Sequence, residues 1–232
     1  MKNYFITGTD TGVGKTFVTA ALLSGLQARG LRVAPMKPVA AGTIEINGRH
    51  INDDVALLQE ISQQHFALTD VNPYCLAEPI APHIAAAREN VCIDITVIAD
   101  AFARLAANAD SVLVEGAGGF LVPLSSPQSM AEIPRALKLD VIMVVAMRLG
   151  CLNHALLTAE AVRARGLHLA GWVANSISAT QMSAFDENLA SLKLMLNAPC
   201  LGVLPHMITS GAGYATAAAT LAALHLRLDN LA

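Results

Sequence analysis

A lysine and a threonine stand side by side behind spaced glycines in Gly8-Thr9-Asp10-Thr11-Gly12-Val13-Gly14-Lys15-Thr16, a combination that can hold a polyphosphate. The apolar run Tyr4-Phe5-Ile6 precedes it and an alanine- and leucine-rich helical stretch follows, which is the strand, loop and helix order such a loop requires. Main-chain N–H groups of Gly12, Val13, Gly14 and the helix start can surround a β-phosphate, Lys15 can reach the β and γ oxygens, and the Thr16 hydroxyl can ligate Mg²⁺. The spacing departs from the usual pattern in one respect. The position five residues before Gly14 is Thr9, and the glycine stands one earlier, at Gly8.

Ser111-Val112-Leu113-Val114-Glu115-Gly116-Ala117-Gly118-Gly119 reads as a buried strand that ends in a carboxylate and a glycine-rich turn. A carboxylate at a strand's C-terminal end can hold Mg²⁺ or its water beside a triphosphate, and Gly118 allows a moving phosphoryl group to approach closely. Lys37 closes another strand, Arg32-Val33-Ala34-Pro35-Met36-Lys37-Pro38-Val39, where its desolvation would be costly without an anion. It can neutralise a transferred phosphoryl group and orient a carboxylate-like acceptor. Asp53 and Asp54 precede the helical pattern Val55-Ala56-Leu57-Leu58. Both suit helix capping; Asp54 equally suits a third Mg²⁺ ligand beside Thr16 and Glu115, whereas Asp53 is left outside the site.

Leu149-Gly150-Cys151-Leu152-Asn153-His154 opens a helix whose free N–H groups suit a substrate carboxylate. Cys151 reads there as a small packed thiol and His154 as a helix-surface side chain. Asn175, after Gly171-Trp172-Val173-Ala174, can offer a donor and an acceptor to a purine edge, with a Gly202-Val203-Leu204-Pro205 turn as a further wall. No Asn/Thr-Lys-x-Asp run of the guanine-reading kind occurs, so adenine is favoured.

These residues need a frame that gathers loops on one edge. Apolar runs at 3–7, 31–36, 111–115, 141–147, 169–175 and 200–204 alternate with helical patterns near 15–29, 54–64, 94–109, 152–165, 184–196 and 212–226. This alternation predicts an α/β fold, a doubly wound and mostly parallel sheet with helices on both faces, of the phosphate-loop triphosphatase kind. Segment 40–93 breaks the alternation and reads as an irregular, substrate-covering insertion. No linker or repeat divides the chain, so residues 1–232 are expected to form one domain.

Composition narrows the partners. A hydrophobic fraction of 54% against 14% charged residues leaves a surface sparse in charge, which favours a subunit interface. A formal charge of -3 offers no long-range attraction for nucleic acid or an anionic membrane. Cys75, Cys92, Cys151 and Cys200 are scattered without a Cys-x-x-Cys pair, and the N-terminus lacks a basic segment followed by an apolar one. Both features point to reduced thiols in the cytoplasm. The longest apolar run, Val141 to Met147, is too short to cross a bilayer.

Taken together, Thr7 to Thr16, Lys37-Pro38-Val39-Ala40, Asn72-Pro73-Tyr74 with Glu78-Pro79, Val114 to Gly119, Leu149 to Ala155 and Gly171 to Asn175 resemble the dethiobiotin synthetase family across about residues 4–205. The resemblance implies a homodimer of doubly wound subunits that uses ATP and Mg²⁺ to join CO₂ to 7,8-diaminopelargonate through a carbamate and its phosphoric anhydride. It implies that Lys15 and Lys37 stabilise phosphoryl and carbamate charge, that Thr16, Asp54 and Glu115 hold Mg²⁺, and that Thr11 and Gly12 touch substrate or phosphate. The helix beginning near Gly150 would receive the substrate carboxylate across the dimer interface. The chain carries Gly12 where some members carry Glu and Ala41 where they carry Ser, so those side-chain contacts do not transfer, and 176–188 matches poorly. The rival reading is an ATP-controlled partition or positioning switch. That class places a second lysine near the start of the loop, where this chain has Asp10.

Overall fold

The computed structural model describes residues 2–46, 49–207, 214–229 and 231. In chain order its elements begin with β1 (Tyr4–Gly8), α1 (Lys15–Gln27) and β2 (Val33–Met36). A lateral segment follows: β3 (Val39–Ala41), β4 (Ile44–Ile46), β5 (Arg49–Ile51), α2 (Asp53–Ile61), α3 (Leu68–Val71), β6 (Tyr74–Leu76) and α4 (Pro82–Arg88). The main layer resumes with α5 (Ile95–Asn108), β7 (Ser111–Gly119), α6 (Glu132–Leu137), β8 (Asp140–Ala146) and α7 (Cys151–Arg163). It ends with β9 (Leu169–Asn175), α8 (Phe185–Met195), β10 (Cys200–Leu204) and α9 (Tyr214–Ala223). The helix expected near 212–226 is therefore described from Tyr214; its first two positions lie outside the described residues.

Six strands form one sheet in the order β10-β9-β8-β1-β7-β2, every neighbouring pair parallel. The chain leaves β1 toward β2 and later crosses to β8 on the other side, so the order reverses beside β1. Loops after β1 and β7 then open onto the same crevice, where ligands bind in sheets of this kind.

Strand periodicity sorts the core into two layers. Val112, Val114, Met143, Val145, Trp172 and Ala174 face one cluster, shared with Ile98, Ala101 and Leu105 of α5 and Ala155, Ala159 and Val162 of α7. Leu113, Ile142, Val144 and Val173 face the other, shared with Val18 and Leu22 of α1 and Ala219 and Ala222 of α9. Successive strand residues point to opposite faces, so near-continuous apolar runs are what a sheet covered on both sides demands.

Two expectations are corrected. Segment 40–93 is ordered structure wherever it is described: β3 and β6 pair in parallel, and β4 and β5 form an antiparallel hairpin. The glycine-rich stretch expected as a turn after Glu115 continues β7 to Gly119, which pairs with Gly8 across a register shift. Glycine permits this because a Cβ at Gly116 would lie 2.8 Å from the Phe5 ring.

Gly202 also lies within a strand, β10, rather than in a turn. A Cβ there would stand 2.4 Å from the His225 carbonyl oxygen and 2.9 Å from Leu226 Cδ2, so this glycine seats the chain after α9 against the sheet. Gly202→Ala is expected to destabilise the protein by about 1–3 kcal/mol through overpacking against backbone that cannot step aside, read as a lower thermal midpoint. An unchanged midpoint would show that the C-terminal segment is not held there.

Candidate active site

Gly8 explains the displaced glycine of the phosphate loop. A Cβ at that position would meet Val13 Cγ2 at 2.5 Å and Lys15 Cγ at 3.1 Å. The loop folds back over the end of β1, and only a residue without a side chain leaves room for it. Gly12 and Gly14 adopt positive φ values of 72° and 83°, and Gly14 caps α1. Gly14 meets a second constraint, since a Cβ there would lie 2.2 Å from Asn175 Nδ2.

Asn175 is buried at the end of β9, and its amide donates to the Val13 carbonyl at 2.9 Å. The residue expected to read a purine edge thus also buttresses the loop. Beyond it lies a cavity of 510 Å³ lined by Ser176, Ser178, Ala179, Gln181, Phe185, Val203, Pro205, His206 and His225. Pro205 lines this cavity, and Gly202 is not among its lining residues.

The second cavity, of 790 Å³, contains the charged residues. Thr11, Gly12, Gly14, Lys15 and Thr16 form one side, Lys37, Asp54 and Glu115 the polar floor, and Gly118 and Val122 a further wall. The lateral segment supplies the rest through Ala41, Asn52, Leu57 and the run Pro79 to Pro82, as the covering role required.

Glu115 is fully buried. Its Oε1 accepts from the Thr16 hydroxyl at 2.8 Å and from Lys37 Nζ at 2.9 Å, while Oε2 has no partner. Lys37 also pairs with Asp54. Burial pulls the Lys37 ammonium down, but the Glu115 and Asp54 carboxylates overcome this and hold it well above the ordinary lysine value. Lys15, whose Nζ donates to the Asp10 carbonyl at 3.1 Å, responds in the opposite direction. Burial pushes it below 10.5 and repulsion from Lys37 adds to this, against the pull of Glu115, Asp54 and Asp10. Lys37 therefore stays charged, and Lys15 is a cation short of counter-charge.

Two residues to which the sequence reading gave no role hold this arrangement. Asn52, not Asp53 or Asp54, caps α2: its side-chain oxygen accepts from the Val55 N–H while Nδ2 donates to the Gly42 carbonyl at 2.8 Å. That cap puts Asp54 in the first turn, aimed at Lys37. Asn72 is buried and donates to the carbonyls of Lys37 at 2.6 Å and Tyr74 at 3.1 Å, fixing the backbone at the end of β2. An asparagine immediately before Asp53-Asp54 was a legible cap signal; Asn72 stood in a segment that carries the family resemblance, with nothing to indicate this contact.

The donor set suits Mg²⁺. Among the described residues no group of three His, Cys, Asp or Glu side chains gathers as a metal cage. Mg²⁺ in phosphate sites instead takes one or two carboxylates, a hydroxyl and substrate oxygens. Thr16, Asp54 and Glu115 offer hard oxygens of that kind, and the unpartnered buried Glu115 Oε2 is the atom that a cation would satisfy.

Gly150 to Asn153 stand apart from both cavities. Gly150 caps α7 at φ 92°, Cys151 is buried in the core, Leu152 is half-buried, Asn153 is exposed, and Leu149 is 94% exposed. Half-buried His154 follows in the same helix.

A parallel sheet with a glycine-rich phosphate loop, a buried carboxylate on the adjoining strand and a second buried lysine defines a phosphate-loop nucleotide enzyme. Residues 2–212 match the AAA domain family. The chain is 52% identical over 94% of its length to the ATP-dependent dethiobiotin synthetase BioD of Aromatoleum aromaticum, covering 96% of that protein. It is 53% identical over 88% of its length to the enzyme of the same name from Nitrosospira multiformis, covering 88% of that protein. The chain belongs to the ATP-dependent dethiobiotin synthetase family, and it is an ATP-dependent ligase of that family. In fold it is similar to the Pyrococcus furiosus cell division ATPase MinD, with a TM-score of 0.57 at 17% identity over 88% of this chain and 84% of that one. It is likewise similar to the MinC:MinD cell division complex of Aquifex aeolicus, with a TM-score of 0.60 at 16% identity over 97% of this chain and 93% of that one. At such identity these likenesses show the fold alone, and the partition-switch reading is not favoured.

The lowered Lys15 pKa has a measurable sign. A free loop with a depressed lysine binds fewer protons at alkaline pH than an ordinary one would, and an arriving polyphosphate restores the ammonium. Binding of a non-hydrolysable ATP analogue is expected to take up protons increasingly as pH rises toward 10.5, measured by calorimetry in buffers of different ionisation enthalpy. Lys15→Met should abolish that uptake.

Proposed function

We propose that the chain converts 7,8-diaminopelargonate, CO₂ and ATP to dethiobiotin, ADP and phosphate, as a homodimer of single-domain subunits working in the cytoplasm. Family membership supports the overall reaction. The observation that carries the site assignment is the Lys37 ammonium, buried between Glu115 and Asp54 on the floor of a cavity that the phosphate loop also lines.

One amine of the diamine attacks CO₂ and loses a proton, giving a carbamate. A carbamate oxygen attacks the γ-phosphorus, the bond to the bridging oxygen breaks, and ADP departs. The second amine then attacks the carbamoyl carbon, the bond to the phosphoryl oxygen breaks, and phosphate leaves as the ring closes with loss of a proton. In this reading Gly12, Val13, Gly14, Lys15 and Thr16 cradle the phosphates, while Asn175 and Pro205 border the adenine. Thr16, Asp54 and Glu115 would hold Mg²⁺, which when bound would supply positive charge to neutralise the triphosphate. Lys37 offsets charge on the carbamate and the moving phosphoryl group, which Gly118 lets approach, and Thr11 contacts substrate. The open space beside Gly12 and the small Ala41 leave the pocket to be filled by substrate or water.

Gly150, Cys151, Leu152 and Asn153 receive the substrate carboxylate in the partner's site. Their separation from the cavity in one subunit and the exposed Leu149 beside them support this arrangement. No helix among the described residues is long and apolar enough to cross a membrane, and the net charge of -3 gives no reason to expect nucleic acid.

ADP release is expected to depend on both bicarbonate and the diamine; ATP turnover indifferent to both would overturn the substrate assignment. Lys37→Ala should cut kcat by about 10²–10³ while changing ATP affinity little, because its charge acts chiefly where negative charge moves. A mixed-subunit test addresses the shared site. Lys37→Ala and Asn153→Asp chains, each inactive alone, should regain about a quarter of wild-type activity when mixed, since half the dimers are hybrids with one intact site each. No recovery in verified hybrids would confine each site to one subunit.

A further inference from the structure

Asp10 sits in the phosphate loop with all its oxygens engaged. Its Oδ1 accepts from the Thr11 N–H at 2.7 Å, its Oδ2 from Arg148 Nη2 at 2.7 Å, and its carbonyl from Lys15 Nζ at 3.1 Å. Arg148 comes from the opposite side of the crevice, after β8, where its own carbonyl accepts from the Cys151 N–H at 3.0 Å in the first turn of α7. One residue thus ties the phosphate loop by its side chain to the start of α7 by its backbone.

Stability does not account for the pair. Both side chains are more than two-fifths exposed, and ion pairs so well solvated contribute little to folding. Location is the informative property. A carboxylate inside a loop built to receive a polyanion repels its ligand unless a cation stands against it, and among the described residues Arg148 is the cation paired with Asp10. Lys15 touches only the Asp10 carbonyl, and it must turn toward phosphate to act there.

We propose that Arg148 is a positioning residue for nucleotide binding: it neutralises Asp10 and holds the phosphate loop in its open, receptive shape against the start of α7. The proposal rests on residues 8–16 being the triphosphate cradle. It adds a requirement from a strand end that contributes nothing to the cavity wall.

The test is calorimetric titration of a non-hydrolysable ATP analogue with Mg²⁺ into the intact protein, alongside steady-state kinetics and thermal midpoints. Arg148→Ala is expected to weaken analogue binding and raise the KM for ATP about tenfold, with kcat within about threefold and an unchanged midpoint. Arg148→Lys, which keeps the charge, should retain most of the affinity. Asp10→Asn placed on Arg148→Ala should restore binding, because the amide oxygen can still accept from Thr11 while the uncompensated charge is gone. Affinity within twofold of wild type in Arg148→Ala, a lysine variant as weak as the alanine one, or a double variant no better than Arg148→Ala would each overturn the role of Arg148. Unchanged analogue binding in Lys15→Ala would instead overturn the cradle assignment, and this proposal with it.

Discussion

A fully buried carboxylate dictates much of the geometry around it. Glu115 lies at zero exposure in the middle of β7, where an isolated charge would cost many kilocalories per mole. The protein surrounds it with a hydroxyl from the first turn of α1 and an ammonium from beyond the end of β2. The two strands flanking β7 in the sheet are β1, which leads into α1, and β2, so both partners reach Glu115 over one strand spacing. A parallel sheet delivers three consecutive loops to one edge, and the buried charge holds them in register.

Lys37 cannot serve Glu115 alone. Asp54 draws on the same ammonium from α2, so the lateral segment is bound to the main sheet by charge as well as by the β3 and β6 pairing. The chain of support is long. Asn52 caps α2 and grips Gly42, Asn72 grips the Lys37 carbonyl, and the Lys37 N–H donates to Val71 at 2.8 Å. One orphaned oxygen remains, Glu115 Oε2. The two donors that reach Glu115, the Lys37 ammonium and the Thr16 hydroxyl, both bond its other oxygen, Oε1.

The sheet was legible because burial on both faces writes itself as continuous apolar runs, and each of the six runs corresponds to a strand. The phosphate loop was legible because its glycines answer to backbone geometry, and Gly8 shows that the constraint is steric closeness rather than a fixed count of residues. Segment 40–93 was harder. Its strands are three residues long and its helices include a four-residue turn at Leu68–Val71, too short for periodicity to register. Gly116 to Gly119 resembled a turn, yet glycine in a strand also marks the close approach of another group, here the Phe5 ring. Asn72 belongs to a segment that carries the family resemblance, yet its role was not legible because a side chain that bonds a distant backbone carbonyl leaves no pattern along the chain. The sequence marked Lys37 as needing an anion and Asp54 and Glu115 as metal ligands; that Lys37 pairs with both carboxylates, and that Asn52 and Asn72 aim them, required the fold.

The likeness to MinD shows how little of the chemistry the scaffold decides. A similar fold is reached at 16–17% identity, because a parallel sheet covered on both faces follows from strand twist and crossover handedness. The site itself rests on particular residues at the crevice, among them an acidic one, Asp10, inside the phosphate loop. The loop must then recruit a cation from outside itself, and Arg148 arrives from the strand on the far side of β1. The loop's acidic side chain is thus paired with a basic one 138 positions away. Through its carbonyl, which accepts from the Cys151 N–H at 3.0 Å, Arg148 also joins the phosphate loop to the start of α7.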